Sequence, residues 1–284
     1  MIAYADGAWI DAALAAVPLE DLGLQRGHAV FETFRLYERA LFRVDEHLRR
    51  LAAGARALDI ALPPATGLAA IVREVAARND VRHATIRLLA TAGRPRATAP
   101  SLFASVEPLP ADWRQVADRG WTLITARIRH ASPDAAPPHV KTPGRIAGLL
   151  ARLEARAEAV DDALLLDLRG RVAEGPAWNI FWRSGTGLRT PGGDVGVLEG
   201  VTRAAVMRLA REHGVEVEEG AWVPQELAAA DEAFATMSSL GIVPIRALDG
   251  RAFPESGALA VGLAAWYWQL VEMESEPVGR GASA

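Results

Sequence analysis

The chain has 284 residues, of which 50% are hydrophobic, and a formal net charge of −4, so it is expected to fold and lacks a basic nucleic-acid-binding surface. It contains no cysteine, which excludes disulfides, thiolate metal sites and cysteine nucleophiles. No apolar run has the length needed to cross a bilayer, and the N-terminus lacks the pattern of a secretory signal. We therefore expect a cytoplasmic protein without a nucleic-acid or membrane partner.

The first part of the chain is predicted to alternate strands and helices. The predicted elements are a hairpin over 2–17, a glycine-punctuated loop over 21–28, strands over 29–37 and 40–44, helices from Asp45 and over 66–78, and strands near 83–92 and 101–107. We expect Asp45 to cap its helix. A polar stretch with two prolines follows and indicates a linker. These features predict a smaller N-terminal α/β domain over 1–108 and an interdomain linker over 109–118.

The second part, residues 119–284, is predicted to form a larger C-terminal domain. Its predicted elements are strands over 121–127, 163–167, 172–175 and 179–182, helices over 145–160 and 203–213, an apolar stretch over 232–241 and a last helix over about 256–272. The helix over 145–160 rests on Ile146, Leu149, Leu150 and Leu153, which recur at helical spacing. Gly214 is expected to end the helix over 203–213. The fold class is therefore α+β, with two mixed α/β domains.

Lys141 is the only lysine of the chain, because the other 30 of its 31 basic residues are arginines. The guanidinium of arginine stays protonated and cannot act as an amine nucleophile. A single lysine therefore suggests a position where the amine itself is needed, as in a Schiff base with a carbonyl substrate or with pyridoxal phosphate. The alternative is an ordinary surface lysine, and composition alone does not decide between the two.

Two turns have the residue types of a phosphate-binding site. In the first, Gly200 lets a ligand approach the backbone, and Thr202 lies at the start of a predicted helix, where N–H groups and the helix dipole favour an anion. Ser238 and Ser239 offer a second hydroxyl-bearing turn after an apolar stretch. Each signal alone is weak, because Ser and Thr are also ordinary helix caps.

Glu174 lies just past a turn in an apolar setting. A carboxylate there could pair with a pyridinium nitrogen and keep it protonated, or it could be a solvated turn residue. The six histidines show no metal-ligand spacing, and no Gly-x-Ser-x-Gly elbow, Walker loop or dinucleotide fingerprint occurs. No metal site is predicted.

Six segments, in order along nearly the whole chain, resemble the motifs of one family. They are Asp21–Arg35, Asp45–Leu51 with the pattern His-Leu-x-Arg-Leu, Val140–Thr142, Val172–Gly175, Asn179–Phe181 and Leu198–Arg203. The chain thus resembles the fold-type-IV pyridoxal-phosphate enzymes, which include branched-chain and D-amino-acid aminotransferases, R-selective amine transaminases and 4-amino-4-deoxychorismate lyases. The resemblance implies the D-amino-acid aminotransferase-like architecture, with the cofactor between two domains.

The resemblance also implies a set of cofactor-binding residues. They are Arg50, Lys141, Glu174, Val201, Thr202, Ser238 and Ser239. Lys141, the catalytic residue, would form the Schiff base with pyridoxal 5′-phosphate and move a proton between the substrate Cα and the cofactor C4′. Glu174 would hold the pyridine nitrogen, and the others would bind the phosphate, with Arg50 as the cation.

Two positions near the lysine depart from parts of the family. Ile146 stands where the branched-chain aminotransferases have a tyrosine, five residues after the lysine. Gly144 stands where several subfamilies have an asparagine, while Arg145 is kept as in the lyases. These departures weaken an assignment to the ordinary branched-chain aminotransferases.

The implied reaction is transamination, in which an amino acid donates its amine and a 2-oxo acid accepts it. The carboxylate of the substrate needs a cation, for which Arg26 and Arg87 are the candidates and Arg94 and Arg96 the second choices. Paired arginines would suit D-amino acids. The family's glycine loop reaches the neighbouring subunit's site, so a homodimer is implied.

Two alternatives stay open at this point. The first is 4-amino-4-deoxychorismate lyase, which releases pyruvate and 4-aminobenzoate and fits the segments around Glu32 and Arg145 about as well. The second is a non-catalytic protein that binds the cofactor on the same fold. The intact set of Lys141, Glu174 and Arg50 argues against the second.

Overall fold

A computed structural model of the protein describes residues 1–135, 137–254 and 258–279. The helices of this described part are α1 (Leu22–Arg26), α2 (Val44–Ala57), α3 (Ala65–Arg78), α4 (Trp113–Asp118), α5 (Ile146–Ala157), α6 (Val201–Glu212), α7 (Pro224–Ala228) and α8 (Ala258–Glu274). None of these helices combines the length and the apolar character of a membrane span, as far as the described residues extend.

The strands of the same residues run in two sheets. They are β1 (Ile2–Ala5), β2 (Ala8–Asp11), β3 (Ala29–Tyr37), β4 (Ala40–Phe42), β5 (Ala84–Thr91), β6 (Ser101–Pro108), β7 (Trp121–Arg129), β8 (Asp162–Leu166), β9 (Asn179–Ser184), β10 (Gly187–Pro191), β11 (Val217–Gly220), β12 (Ala233–Met237), β13 (Gly241–Leu248), β14 (Arg251–Ala252) and β15 (Glu276–Pro277). Helices accompany both sheets, which agrees with the predicted α+β class.

The chain divides into two units. Unit 1 contains residues 1–111, residues 139–144 and the C-terminal segment from Val271, whereas unit 2 contains residues 112–138 and 145–270. The sequence predicts a linker over 109–118 and a C-terminal domain that contains Lys141. In the structure, α4 lies within that expected linker, and the short segment that carries Lys141 belongs to unit 1.

The sheet of unit 1 has seven strands in the order β15-β4-β3-β5-β6-β1-β2, and every neighbouring pair is antiparallel. The apolar stripes of α2 and α3 pack with this sheet in one core, through residues such as Leu48 and Val72. Val30 and Phe34 of β3 belong to the same core. Because side chains alternate along a strand, Glu32 points to this helix-covered face and Phe31 to the opposite face.

The sheet of unit 2 follows the order β11-β10-β9-β12-β13-β7-β8, with β14 paired to β13. It is mixed, since β10–β11, β13–β7 and β7–β8 are parallel pairs. Its core contains Leu123, Leu164, Ile180, Trp182 and Val243. The short apolar strand predicted over 163–167 is β8, and all of its residues are buried, as expected for a strand covered on both faces.

Helix α5 confirms the helix predicted over 145–160, but its large side chains face outward. Gly148, Ala151 and Ala155 form the buried face, which packs on β7 and β8. The four large residues at helical spacing are exposed: Ile146 at 63%, Leu149 at 55%, Leu150 at 39% and Leu153 at 51%. A Cβ on Gly148 would come within 3.2 Å of Pro176, so only small residues fit on the inner face.

Three local expectations were wrong. The glycine loop over 21–28 contains α1, which Asp21 caps by accepting the N–H of Gly23 at 2.7 Å and which ends at Gly27 with φ of 67°. Asp45 does not cap α2; Arg43 is the N-cap, with φ of 54°, and Asp45 lies in the first turn. The strand predicted over 172–175 is a single bridge between Val172 and Leu166, so Glu174 lies in a loop.

Candidate active site

Lys141 lies beside the beginning of β3 in unit 1. Its carbonyl oxygen accepts the backbone N–H of Phe31 at 3.0 Å, which fixes the lysine segment against the strand. The Nζ of Lys141 is 5.0 Å from the centroid of the Phe31 ring, and the side chain is half-buried. The Cζ of Arg87 is 4.0 Å from the same centroid. One aromatic ring therefore contacts both the amine and a guanidinium.

Arg87 projects from β5, where it pairs with Thr33 of β3. It lines a cavity whose other walls are mainly apolar and include Tyr4, Leu89 and Phe103. Partial burial lowers the pKa of Arg87, although Glu107 opposes this shift. Arg87, one of the arginines predicted to bind a substrate carboxylate, thus lines a cavity.

The other three predicted arginines lie at exposed positions of unit 1. Arg26 is in the last turn of α1, and Arg94 and Arg96 lie in the loop between β5 and β6. Over residues 1–135, 137–254 and 258–279, no hydrogen bond or ion pair joins any of these three side chains to another residue. None of the three therefore makes a hydrogen bond or an ion pair with Arg87 in the described part of the chain.

Arg50, the predicted phosphate cation, is held by a carboxylate that the sequence analysis did not assign to the site. Its Nε and Nη2 donate to Glu32 at 2.6 and 2.7 Å, and the Nδ1 of His47 lies 2.7 Å from the same carboxylate. Burial raises the pKa of Glu32, but the charges and hydrogen bonds of Arg50 and His47 outweigh it and lower the pKa to about 2. Glu32 is therefore an ionised carboxylate with no exposed surface.

His47 completes this cluster as a neutral side chain. Burial lowers its pKa, and the charges of Arg50 and Lys141 lower it further, while Glu32 opposes the shift. Because Glu32 is ionised and can only accept, the contact requires the Nδ1 of His47 to carry the proton. The His-Leu-x-Arg-Leu motif already indicates that His47 and Arg50 lie side by side, since residues at i and i+3 share one face of a helix.

Glu174 is 2% exposed, and its two oxygens face four donors of unit 2. Oε1 contacts the guanidinium of Arg145 and lies 3.1 Å from Nε2 of His130. Oε2 accepts from Nδ2 of Asn179 at 2.9 Å and from the N–H of Leu198 at 2.8 Å. Burial raises the pKa of Glu174, but Arg145, His130 and the N–H of Leu198 outweigh it, so the pKa is lowered and the carboxylate is ionised.

None of these four donors was among the predicted site residues. His130 and Arg145 are 44 and 29 residues from Glu174 along the chain, so only the fold brings them to it. Asn179 is five residues away and opens one of the motifs that carried the resemblance. Its presence in that motif was the available signal.

Asn179 also links Glu174 to the start of α6. Its Nδ2 donates to the carbonyl of Leu198 at 2.9 Å, and a Cβ on Gly200 would come within 2.1 Å of its Oδ1. Gly200 is the N-cap of α6 and has no side chain to satisfy the first N–H groups, which include those of Val201 and Thr202. A buried carboxylate and an anion-favouring helix start are thus neighbours in unit 2.

The second predicted hydroxyl turn joins β12 and β13. Ser238 and Ser239 are half-buried in this turn. Thr236, just before it, is paired with Asn179 across β12 and β9, and its Oγ1 is buried without a hydrogen-bond partner among the described residues. The described part of the chain holds no cluster of His, Asp and Glu suited to a metal ion.

The sequence matches the family model for amino-transferase class IV over residues 29–248. A Methanocaldococcus jannaschii protein named "Putative branched-chain-amino-acid aminotransferase" is 35% identical, with 87% of this chain and 88% of that protein aligned. Aminodeoxychorismate lyase of Bacillus subtilis is 29% identical over 87% of this chain and 86% of the lyase. D-alanine aminotransferase of Listeria monocytogenes is 29% identical over 83% of each chain.

Solved structures give the same family. The branched-chain amino acid aminotransferase of Escherichia coli superposes with a TM-score of 0.90 at 26% identity, covering 97% of this chain and 96% of that one. The branched-chain aminotransferase of the thermophilic archaeon Thermoproteus uzoniensis, solved with norvaline, gives a TM-score of 0.89 at 27% identity over 98% and 99% of the two chains. These matches confirm the predicted fold-type-IV architecture.

The family match covers well over half of the chain, and the class IV aminotransferases use pyridoxal 5′-phosphate. The chain therefore belongs to the class IV aminotransferases and is a pyridoxal-phosphate-dependent transaminase, which moves amino groups between amino acids and 2-oxo acids.

Proposed function

We propose that Lys141 is the amine that carries the cofactor and moves the proton of the reaction. When bound, pyridoxal phosphate supplies an electron sink that stabilises negative charge at the Cα of the substrate. The Nζ of Lys141 takes the proton from Cα and returns it at the cofactor C4′. An arginine could not do this, because its guanidinium does not release a proton in proteins. Lys141 is the only lysine, so no other ε-amine can replace it.

Glu174 is proposed to hold the pyridine nitrogen of the cofactor. Its lowered pKa keeps it ionised, so it can stabilise a protonated nitrogen. A carboxylate offers about four lone-pair positions, and four donors of the chain already face Glu174. Arg145 is the donor that can give way, because its side chain is 28% exposed while that of His130 is 10% exposed.

The start of α6 and the turn after β12 are proposed to hold the phosphate, with Arg50 as the cation. Two observations of unit 2 support the fit. The N–H groups of Val201 and Thr202 lie at the start of α6, where the N-cap Gly200 provides no side-chain cap, and such a helix start favours anions. The buried Oγ1 of Thr236 has no partner among the described residues, and the hydroxyls of Ser238 and Ser239 follow it in the chain.

The substrate is proposed to be an amino acid with an apolar side chain, whose carboxylate is bound by Arg87. The observation that carries this proposal is the Phe31 ring, which contacts both the Nζ of Lys141 and the guanidinium of Arg87. The reacting amine and a carboxylate-binding cation are therefore near one another. The apolar walls of the cavity around Arg87, such as Leu89 and Phe103, suit an aliphatic side chain.

A donor and acceptor panel, read by the absorbance change of the bound cofactor in half-reactions, tests this function. L-leucine, L-alanine, L-glutamate and the D-enantiomers of alanine and glutamate are the donors, and 2-oxo acids are the acceptors. We expect reaction with aliphatic donors, reversal by a 2-oxo acid, and a raised KM in Arg87→Met. Turnover limited to acidic donors, or an unchanged KM in Arg87→Met, would contradict the proposal. The D-amino-acid preference suggested by paired arginines stays a prediction, and activity on L-donors alone would reject it.

The second candidate function is the lyase. It is favoured by the 29% identity to aminodeoxychorismate lyase of Bacillus subtilis and by Arg145, which the resemblance shares with the lyases. Formation of 4-aminobenzoate from aminodeoxychorismate without any 2-oxo acid acceptor would support this reaction. The absence of product under conditions where the half-reactions proceed would exclude it.

The transaminase is also proposed to be a homodimer in which a second copy covers α5. Its exposed aliphatic stripe comprises Ile146, Leu149, Leu150 and Leu153. A standard interface buries about 800 Å² on each partner around an apolar centre, and four large side chains of this exposure would supply such a centre. An apolar stripe is also self-complementary, which suits a two-fold interface between identical chains.

Light scattering of the full chain tests the dimer. Leu149→Gln with Leu153→Gln should shift the mass towards that of one chain, because both polar groups would be buried in the interface. Val261→Gln, at another exposed aliphatic position, 57% exposed on α8, is the control and should leave the mass unchanged. A monomeric wild type, or a double variant with the mass of two chains, would contradict this interface.

The cytoplasmic location and the domain boundaries expected from the sequence stay predictions.

A further inference from the structure

Glu32 is a buried carboxylate to which the assignments above give no role. It projects from β3 towards α2, it has no exposed surface, and both of its oxygens are bound by side chains of that helix. Arg50 supplies two parallel N–H groups, from Nε and Nη2, and His47 supplies a third contact through Nδ1. A bidentate pair of this kind fixes the plane of a guanidinium as well as its position.

The charges of this cluster cancel. Glu32 is ionised, Arg50 is a cation and His47 is neutral, so the three side chains together carry no net charge. The contribution of Arg50 to binding an anion therefore depends on the orientation of its guanidinium, more than on long-range attraction. Nη1 is not part of the edge that Glu32 occupies, and its direction is set by that edge because the guanidinium is planar.

We propose that Glu32 is a positioning residue for the phosphate of the cofactor: it fixes one edge of Arg50, so that the opposite end of the guanidinium is presented to the phosphate in a single orientation. This inference rests on the proposed role of Arg50 as the phosphate cation. His47 acts on Glu32 in turn, since its Nδ1–H holds the second carboxylate oxygen. Without Glu32, Arg50 would be a mostly buried cation without its counter-ion and would turn towards solvent.

Loss of Glu32 should affect recognition of the phosphate specifically. Glu32 contacts Arg50, the proposed phosphate cation, and His47, so its loss should weaken binding of pyridoxal 5′-phosphate and leave binding of pyridoxal unchanged. The probe is the ratio of the two dissociation constants, measured by absorbance on the full chain stripped of cofactor. We expect this ratio to change by about 10- to 100-fold in Glu32→Gln, by analogy with the loss of a residue that orients a metal ligand.

The matched control is Glu38→Gln, on the turn after β3. Glu38 also pairs with a histidine and an arginine, His83 and Arg82, but its side chain is 56% exposed. Its substitution should leave the ratio unchanged. Glu32→Asp is the second variant, in case Glu32→Gln does not fold: it keeps the buried charge but shortens the reach to Arg50, so it should also lower the preference for the phosphate ester.

Arg50→Gln separates failure of this inference from failure of the proposed function. If Arg50→Gln leaves the ratio unchanged, Arg50 does not bind the phosphate and the proposed role is wrong. If Arg50→Gln changes the ratio while Glu32→Gln and Glu32→Asp do not, the role of Arg50 holds and the inference about Glu32 is overturned. A higher preference for the phosphate ester in Glu32→Gln would also overturn it, because Glu32 would then act by repulsion.

Discussion

The clusters around Glu32 in unit 1 and Glu174 in unit 2 contain the same residue types. They differ in how far the arginine that contacts the carboxylate is exposed. Each carboxylate is buried, contacts one arginine and one histidine, and has a lowered pKa. The arginine of Glu32 is almost fully buried, with a side chain 8% exposed, whereas that of Glu174 is 28% exposed. Arg50 is therefore held in place beside Glu32, whereas Arg145 has room to turn away from Glu174.

This difference supports the two proposed roles, a supporting carboxylate for Glu32 and a cofactor-binding carboxylate for Glu174. Glu32 is fixed by a bidentate contact from a neighbouring helix, and its proposed role is to orient the guanidinium of Arg50. Glu174 faces four separate donors and lies near the start of α6, which has no side-chain cap. One of its donors can therefore be exchanged for a ligand atom. Burial and a lowered pKa alone do not identify a catalytic carboxylate. The exposure of its partners helps to distinguish a carboxylate that binds a ligand from one that supports another residue.

The largest effect on turnover among the two carboxylates is expected at Glu174. In Glu174→Gln the pyridine nitrogen would lose its ionised partner, and kcat should fall by about 100- to 1,000-fold, the range for losing one preorganised electrostatic contact. The measurement is kcat at saturating cofactor, with Glu38→Gln as the surface control. A kcat within a few-fold of the wild type would remove Glu174 from the catalytic account.

Glu32→Gln is expected to act on stability, and in a pH-dependent way. The pKa of Glu32 is lowered from 4.5 to about 2, so its stabilisation is present above pH 4.5 and is lost as the pH falls towards 2. The variant should lose roughly 3 kcal/mol of unfolding free energy at pH 7. The difference from the wild type should shrink steadily below pH 4.5 in urea unfolding. A difference that does not vary with pH would show that the lost charge is not its cause.

Gly200→Ala should disturb the start of α6. The added Cβ would lie 2.1 Å from Oδ1 of Asn179, so either the side chain or the helix start must move. We expect a loss of about 1–3 kcal/mol in stability, as for overpacked sites, together with weaker cofactor binding. Gly67→Ala is the matched control, because it lies in α3 with open space around its Cβ position and should stabilise the helix by about 0.5–1 kcal/mol. Equal effects of the two substitutions would contradict the close approach of Asn179.

The smallest effect is expected at Asp162, a buried carboxylate with weaker partners. Burial raises its pKa above 3.8, although Arg152, at 3.7 Å, and the Nε1–H of Trp178, at 2.8 Å, oppose this. Asp162→Asn keeps an acceptor for Trp178, so stability at pH 7 should change by less than about 1 kcal/mol.

The pH dependence at Asp162 should have the opposite sign to that at Glu32. A raised pKa means that the folded state binds the proton more tightly, so the stability of the wild type relative to Asp162→Asn should increase as the pH falls through the raised pKa. Urea unfolding from pH 7 to pH 3 measures this. The same sign for both variants would show that burial does not dominate at Asp162.

Much of this organisation could be predicted from the sequence where the signal is local. The alternation and the flanking turns predicted β3 over the residues found, Ala29–Tyr37. Composition made Lys141 a candidate, but it left an ordinary surface lysine open until the motifs were compared. The stop of α6 near Gly214 followed from the left-handed conformation that glycine adopts there, with φ of 76°.

The rest could not be predicted because it depends on which surfaces meet. Helix α5 carries two stripes at helical spacing, one large and one small, and the close packing on β7 and β8 selects the small one. His130 and Arg145 reach Glu174 from distant parts of the chain. The role of Glu32 depends on the packing of α2 against β3, which no local sequence pattern encodes.

The central claim is that Lys141 carries the cofactor through its amine, and borohydride reduction followed by peptide mass spectrometry tests it most directly. Reduction turns a carbon–nitrogen double bond between lysine and cofactor into a stable single bond. Because the chain has one lysine, we predict one cofactor per chain on the peptide that contains Lys141 and no labelling in Lys141→Arg. A label on another residue, or a wild-type protein that binds the cofactor without any reducible bond, would contradict the account.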